Sequence, residues 1–229
     1  MMLSERLEAI SGRMDAACAK AGRAPESVKL VGVSKTFPLE RLKDAAAAGL
    51  TVFGENKAQE LASKCTEWAD PPKGIEWHFI GHLQRNKASL VAAHANVFHA
   101  LDSVRLARAL QRQCEQADRT LTCFLQVNVS GEESKFGVDP SEVGAMLAQV
   151  AEFDRLDVRG LMTLAAPTPD PEDVRPQFAR LRELARHHDA SGRFPLEALS
   201  MGMSGDFEVA IEEGATHVRI GSAIFGSRY

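Results

Sequence analysis

The stretch ALSMGMSGDFEVAIEEGATHVRIGS, residues 198–222, places two short apolar runs on either side of a helical pattern. The runs at residues 198–201 and 217–220 are typical of buried strands, and residues 206–213 repeat apolar side chains with a period near 3.6. A strand, a helix and a second strand in this order form a unit whose two strands run parallel. This stretch therefore predicts an α/β fold with a parallel sheet.

The same alternation extends outward over the rest of the chain. We predict eight strands, at residues 29–34, 51–54, 76–80, 97–101, 121–129, 157–164, 198–201 and 217–220. Seven helices fall between them, at residues 39–48, 58–68, 84–93, 103–118, 140–153, 171–188 and 206–213, and an extra helix at residues 3–21 precedes the first strand. This count predicts a single (β/α)8 TIM-type barrel that forms one domain over residues 1–229.

The alternative architecture is an open, doubly wound sheet. Such sheets usually carry a glycine fingerprint directly after the first strand. Here the first strand runs into SKTFP, residues 34–38, and no GxGxxG occurs anywhere in the chain. The sequence therefore favours the barrel.

Charge and hydropathy exclude several classes of partner. The 27 basic and 31 acidic residues are interspersed, so there is no basic block to bind nucleic acid. The longest nearly apolar stretch, residues 45–53, is far shorter than the roughly 20 residues of a membrane span. The N-terminal segment is amphipathic and unlike a signal peptide. We therefore expect a cytoplasmic protein that binds neither nucleic acid nor membrane. We also expect a monomer.

Cysteine and histidine spacing does not predict a metal site. The four cysteines have neither a CxxC motif nor metal-ligand spacing, and we expect buried or partly buried thiols at Cys18, Cys65, Cys114 and Cys123. His78 and His82 have the spacing of a helical zinc site, but four residues of strand span roughly 13 Å, which is too far for one metal ion.

A serine hydrolase is also disfavoured. The segment GMSGD, residues 202–206, has Asp206 where the nucleophile elbow GxSxG requires its second glycine.

Lys35 is a candidate reactive amine. In a barrel, functional groups lie at the C-terminal ends of the strands and in the loops that follow. Strand alternation places Lys35 on the same face as Val31 and Val33, beside apolar neighbours that lower the pKa of an amine. A neutral amine is the form that attacks an aldehyde. The alternative is a lysine whose charged end extends to solvent.

The loops after the seventh and eighth strands are candidates for phosphate binding. They contain Ser204–Gly205 and Gly221–Ser222, and small residues allow the backbone to approach an anion closely. For Ser204 the alternative is a helix N-cap, and the two roles are compatible.

Arg219 lies within the last predicted strand, on the same face as His217 and Gly221. A guanidinium inside a barrel is costly unless a partner neutralises it. The two explanations are a ligand, or a structural ion pair with Glu55 or Asp206.

Six motifs together carry a family resemblance. The segments LVGVSKTFP, FGENKAQE, WHFIGHLQRNK, VNVSGEESKFG, GLMTL and LSMGMSGDFEVAIEEGATHVRIGSAIFG occur in this order from the first strand to the C-terminus. In these motifs the chain resembles the pyridoxal-phosphate homeostasis protein family. The resemblance implies a barrel like the N-terminal domain of alanine racemase, with pyridoxal 5'-phosphate (PLP) bound to a lysine.

The resemblance also implies a role for each site residue. Lys35 of VSKT would form the Schiff base, and Asn56 of GEN would lie near the cofactor ring. Ser204 of SMGMS would bind the phosphate. Arg219 of VRIG would face the pyridine nitrogen, and Gly221 and Ser222 would hold the phosphate through backbone and hydroxyl.

The chain departs from the usual family pattern at three positions beside the site. Phe37 replaces a frequent Lys in SKTKP, Lys57 replaces Tyr in GENY, and Phe136 replaces His in SKHG. We therefore expect these departures to affect exchange of the cofactor more than its binding. The role of Lys135, in the same segment as Phe136, is open.

Three functions follow from these observations, and the first is favoured. It is a PLP carrier or regulator in vitamin B6 and amino-acid homeostasis, which passes the cofactor to PLP-dependent apoenzymes. The second is a weak PLP-dependent racemase or eliminase. An Arg at the pyridine nitrogen weakens the electron sink, and the only tyrosine, Tyr229, is the last residue. The third is a cofactor-free Schiff-base lyase.

Overall fold

The computed structural model describes residues 2–131, 136–166, 168–189 and 194–226. Its strands follow the predicted order and differ from the predicted bounds by at most three residues. They are β1 Lys29–Val33, β2 Val52–Glu55, β3 Glu76–Phe79, β4 Val97–Leu101, β5 Leu121–Gln126, β6 Leu156–Met162, β7 Ala198–Ser200 and β8 His217–Ile220. Each strand pairs in parallel with the next, and β8 pairs with β1, so the sheet closes into a barrel. The predicted (β/α)8 TIM-type barrel is confirmed.

The helices form the outer layer. They are α1 Leu3–Lys20, α2 Leu39–Ala47, α3 Ala58–Glu67, α4 Ala88–His94, α5 Val104–Gln116, α6 Val143–Val150, α7 Arg175–Asp189, α8 Phe207–Glu212 and α9 Ser222–Phe225. The α4 and α6 helices begin three or four residues later than predicted, because 3-10 turns at Arg85–Lys87 and Pro140–Glu142 precede them. The α9 helix is not among the helices predicted from the sequence.

Ion pairs fasten α1 and α7 to α8. Lys20 Nζ lies 2.7 Å from Glu212 Oε1. Arg175 of α7 bonds to both Glu212 and Glu213, at 2.8 and 3.0 Å. These contacts hold the extra N-terminal helix against the part of the barrel that follows β7.

The interior of the barrel contains an aromatic and polar layer. The His78 and His99 rings lie 5.0 Å apart, and the His217 ring lies 5.9 Å from His78 and 5.0 Å from Phe124. Burial lowers the pKa of His217 to about 3. At neutral pH the interior therefore holds this imidazole in its uncharged form.

The thiols agree with the expectation from the sequence. Cys18, Cys114 and Cys123 are buried, Cys65 is half-buried, and all four are free. Burial raises the pKa of Cys65 to about 12, so this thiol is unreactive. Among the described residues, no helix is both long and apolar enough to cross a membrane.

Candidate functional site

The candidate site residues follow four strands that are neighbours in the closed barrel. Lys35 follows β1, Asn56 follows β2, Ser204 follows β7, and Arg219 and Gly221 lie in and after β8. The order β7-β8-β1-β2 is continuous around the barrel. All of these residues except Arg219 therefore lie at the C-terminal edge, where the function of such barrels is located.

Close backbone contacts join these strand ends. The amide of Ser34 donates to the Gly54 carbonyl at 3.0 Å, and the amide of Arg219 donates to the Gly202 carbonyl at 3.0 Å. A Cβ on Gly221 would lie 3.3 Å from both Cβ and the carbonyl oxygen of Val33. The loop after β8 thus runs directly beside the end of β1.

Lys35 is half-buried and occupies a turn rather than the end of the strand. β1 ends at Val33, because the Ser34 carbonyl accepts from the Phe37 amide at 3.1 Å and closes a turn. Thr36 has a φ of 69°, a conformation that is strained for a β-branched residue. Its amide donates to Glu60 Oε1 at 2.5 Å.

A buried ion-pair cluster supports this turn. Lys64 Nζ lies 2.7 Å from both Glu55 Oε1 and Glu60 Oε1 and donates to the Ser34 carbonyl at 2.9 Å. The Ser34 hydroxyl donates to Glu55 Oε1 at 2.6 Å. Burial raises the pKa of Glu55, and the Lys64 ammonium opposes that shift. The residues on both sides of Lys35 are therefore fixed by one charged cluster.

Lys64 and Glu60 are not among the site residues predicted from the sequence. The available signal is the spacing of Lys64 from Ala58 and Leu61, which places it on the buried face of α3. A lysine on such a face needs a buried partner.

Asn56 presents an unused acceptor. Its Oδ1 is buried and has no hydrogen-bond partner among the described residues. Close packing fixes its backbone, since a Cβ on Gly81 would lie 2.4 Å from the Asn56 carbonyl oxygen. This orphaned oxygen is suited to a ligand donor.

Arg219 is only 4% exposed and is held by neutral acceptors. It donates to the Ser200 hydroxyl at 2.5 Å and to the Thr163 carbonyl at 2.9 Å. Burial lowers the pKa of Arg219 to about 10, and the Asp206 carboxylate opposes this shift, so the guanidinium stays charged at neutral pH.

Neither ion pair proposed for Arg219 forms. Glu55 bonds to Lys64 instead, so the Glu55 alternative is wrong. Asp206 accepts from the Met203 amide at 2.6 Å, and Arg219 has no carboxylate within 4.0 Å in the described parts of the chain.

The two loops predicted to bind an anion carry free hydroxyls. Asp206, not Ser204, is the N-cap of α8, so the N-cap alternative for Ser204 is wrong. Within the described ranges, neither the Ser204 nor the Ser222 hydroxyl has a hydrogen-bond partner. Ser222 begins α9, whose end is fixed by Phe37 stacking on Phe225 at 5.1 Å.

The histidines once considered as metal ligands have separate partners. His78 is buried and bonds to His99, whereas His82 is exposed and pairs with Asp102 at 3.2 Å. The His82 ring also stacks on Phe136 at 4.1 Å. Lys57, the third departure from the family pattern, is exposed at the N-cap of α3. Lys135 and Tyr229 lie outside the described residues.

Comparison with known proteins gives a family. The model of the alanine racemase N-terminal domain matches residues 6–229. Pyridoxal phosphate homeostasis protein of Aquifex aeolicus is 42% identical over 228 residues, covering 100% of this chain and 99% of the relative. The chain belongs to this family. The Escherichia coli K12 pyridoxal phosphate homeostasis protein is also 42% identical, over 99% of this chain and 97% of its own.

Solved structures agree with this membership. PipY of Synechococcus elongatus is 34% identical, covers 98% of this chain and 100% of its own, and gives TM-scores of 0.87 without PLP and 0.86 with PLP bound. Alanine racemase of Corynebacterium glutamicum, 20% identical with a TM-score of 0.67, shares the fold. The match covers 97% of this chain but only 62% of that racemase.

Proposed function

We propose that this protein binds PLP and carries it within vitamin B6 and amino-acid homeostasis. The observation that carries this proposal is that an amine, an orphaned amide oxygen and two free hydroxyls follow four neighbouring strands at one edge of the barrel, and that one of these strands contains a buried cation. The relation to PipY, which has been solved with PLP bound, supports it.

Each group of PLP has a matching group in the chain. The orphaned Asn56 Oδ1 would accept a hydrogen bond from a polar substituent of the ring. The Ser204 and Ser222 hydroxyls and the backbone at Gly221 suit a phosphate, whose oxygens accept from such donors. The Arg219 guanidinium, charged at neutral pH, would face the pyridine nitrogen. The residues therefore fit the cofactor.

Lys35 supplies the covalent anchor in this proposal. Its neutral amine would hold PLP through the aldehyde carbon, by a C=N bond that replaces the C=O bond with loss of one water molecule. The strained Thr36 turn and the Lys64 cluster fix the backbone on either side of Lys35. The same reaction run in reverse releases the cofactor with no net chemistry, which suits a carrier.

The charge on Arg219 favours a carrier over an enzyme. A protonated pyridine nitrogen strengthens the electron sink of carbanion-forming PLP enzymes, and a neighbouring cation opposes that protonation. We propose that the protein acts as a monomer and hands PLP to apoenzymes. The alternative is a weak racemase or eliminase, and a cofactor-free lyase is the third.

Titration with PLP tests the proposal. We expect a visible absorption band to appear on adding PLP to the wild type and to be absent in Lys35→Ala. We expect no amino-acid turnover above that of free PLP. Turnover that is lost in Lys35→Ala supports the enzyme alternative, and the absence of any band or binding supports the lyase.

A further inference from the structure

A line of hydrogen bonds crosses the barrel interior and ends at Arg219. Glu76 Oε2 lies 3.2 Å from His78 Nε2, and His78 Nδ1 lies 2.9 Å from His99 Nε2. His99 Nδ1 lies 2.8 Å from the Ser200 hydroxyl, which accepts from Arg219. His78, His99 and Ser200 are fully buried. Residues from β3, β4, β7 and β8 thus form one continuous chain.

The two end groups determine which group donates and which accepts in each of these hydrogen bonds. Arg219 only donates and ionised Glu76 only accepts. If the Ser200 hydroxyl donates to His99 Nδ1, then His99 Nε2–H donates to His78 Nδ1. His78 Nε2–H then donates to Glu76, and every group is satisfied.

The opposite direction fails at both ends. With a proton on His99 Nδ1, the Ser200 hydroxyl hydrogen has no acceptor among the described residues. With a proton on His78 Nδ1, the bare His78 Nε2 faces the Glu76 carboxylate, which is also an acceptor. Buried groups left in this state cost about 1–3 kcal/mol each.

The charges around the chain agree with two neutral imidazoles. Burial lowers the pKa of both His78 and His99. The hydrogen bond from His78 lowers the pKa of Glu76 to about 2, and Lys29 Nζ lies 2.9 Å from this carboxylate. The line of hydrogen bonds therefore joins the buried Arg219 cation, through neutral groups, to the Glu76 carboxylate at the N-terminal end of the barrel.

We propose that Glu76, His78, His99 and Ser200 form a directed hydrogen-bond relay that positions the Arg219 guanidinium. This role rests on the proposed contact between Arg219 and the pyridine nitrogen. The Ser200 hydroxyl fixes one guanidinium nitrogen of Arg219 by accepting a hydrogen bond from it. The relay prevents this hydroxyl from turning its own hydrogen towards Arg219. Glu76 is a positioning residue that acts from the far end of the barrel.

The first test needs no cofactor. Long-range ¹H–¹⁵N NMR spectra of the unliganded wild type at pH 7 report which ring nitrogen of each histidine is protonated. The relay predicts a neutral ring with the proton on Nε2 for both His78 and His99. A proton on Nδ1 of His99, or a doubly protonated ring at either position, overturns it.

The second test compares two charge-removing variants. In Glu76→Gln the side-chain amide can donate to His78, so the protons of His78 and His99 are no longer held on Nε2. We expect this variant to bind PLP about threefold to tenfold more weakly. Asp157→Asn is the matched control, because Asp157 lies at the start of β6 and pairs with Arg159 at 2.7 Å, outside the relay. We expect it to bind PLP within about twofold of the wild type.

The outcomes separate this role from the proposed function. Mixed Nδ1 and Nε2 protonation together with weaker PLP binding in Glu76→Gln alone supports the relay. Equal PLP binding by Glu76→Gln and the wild type overturns the positioning role. If the wild type has the predicted proton order but does not bind PLP, the proposed function fails, and the positioning role fails with it.

Discussion

Lys64 donates from its ammonium group to the carbonyl of Ser34 at 2.9 Å, one residue before Lys35. The same ammonium pairs with Glu55 at 2.7 Å. Both side chains are buried, with exposures of 7% and 0%. The amine proposed to hold the cofactor is thus positioned by a second, structural lysine.

Replacing Lys64 is expected to destabilise the protein strongly. Lys64→Met leaves Glu55 buried without its cation, and losing one partner of such a pair costs about 3–5 kcal/mol. Urea unfolding measures the loss. Lys43→Met is the matched control, because Lys43 pairs with Glu40 on the surface, and it should change stability by less than about 0.5 kcal/mol. Similar values for the two variants would show that the cluster is not a structural support.

The buried histidines predict that stability decreases in acid. The pKa of His217 is about 3 in the folded protein, below its ordinary value of 6.5, so folding excludes a proton that the unfolded chain binds. The contribution of neutral His217 to the free energy of unfolding is complete above pH 6.5 and is lost as the pH falls towards 3. His217→Asn should reduce the slope of unfolding free energy against pH, between pH 6 and 5, by roughly 1 kcal/mol per unit.

The control for this slope is an exposed side chain that does not titrate. Gln116 is exposed at the end of α5. Gln116→Asn should therefore leave the slope unchanged. An unaltered slope in His217→Asn would contradict the assignment of a neutral interior histidine.

Loss of either free hydroxyl is expected to weaken phosphate binding. Ser204→Ala and Ser222→Ala should each reduce PLP affinity by about 1–2 kcal/mol, the range for a hydrogen bond to a charged group. Pyridoxal, which lacks the phosphate, serves as the control in calorimetric titrations and should bind all three proteins equally. If both variants bind PLP like the wild type, the phosphate lies elsewhere.

Gly81 is expected to be intolerant of a side chain. A Cβ at this position would lie 2.4 Å from the backbone oxygen of Asn56, so Gly81→Ala should displace Asn56 and weaken both stability and PLP binding. Gly12→Ala in α1 has no atom within 4 Å of the new Cβ and should stabilise the protein by about 0.5–1 kcal/mol. Thermal unfolding of the two variants gives the comparison, and equal melting temperatures would argue against the close contact at Asn56.

The repeating elements of the fold were readable from the sequence because they depend on local periodicity. β4 and β8 have the predicted bounds, and closure of the barrel follows from the count of strands. The single-domain organisation of residues 1–229 stays a prediction, as do the roles of the six candidate site residues.

The Lys64 cluster and the hydrogen-bond relay could not be predicted from local periodicity. Spacing within α3 places Lys64 on its buried face, but the hydrogen-bond partners of Lys64 include Ser34, directly after β1, and Glu55 of β2. The relay depends on how β3, β4 and β7 align around the barrel, which brings together residues that are 21 and 101 positions apart. No spacing rule within one segment reveals such contacts.

Covalent labelling of the lysine that holds PLP tests the proposed function most directly. The protein is loaded with PLP, reduced with borohydride and digested, and the labelled peptide is identified by mass spectrometry. We expect a single label, on Lys35, that is absent from Lys35→Ala and retained in Lys57→Ala. A label on Lys57, Lys135 or another lysine in the wild type, or no label at all, would contradict it.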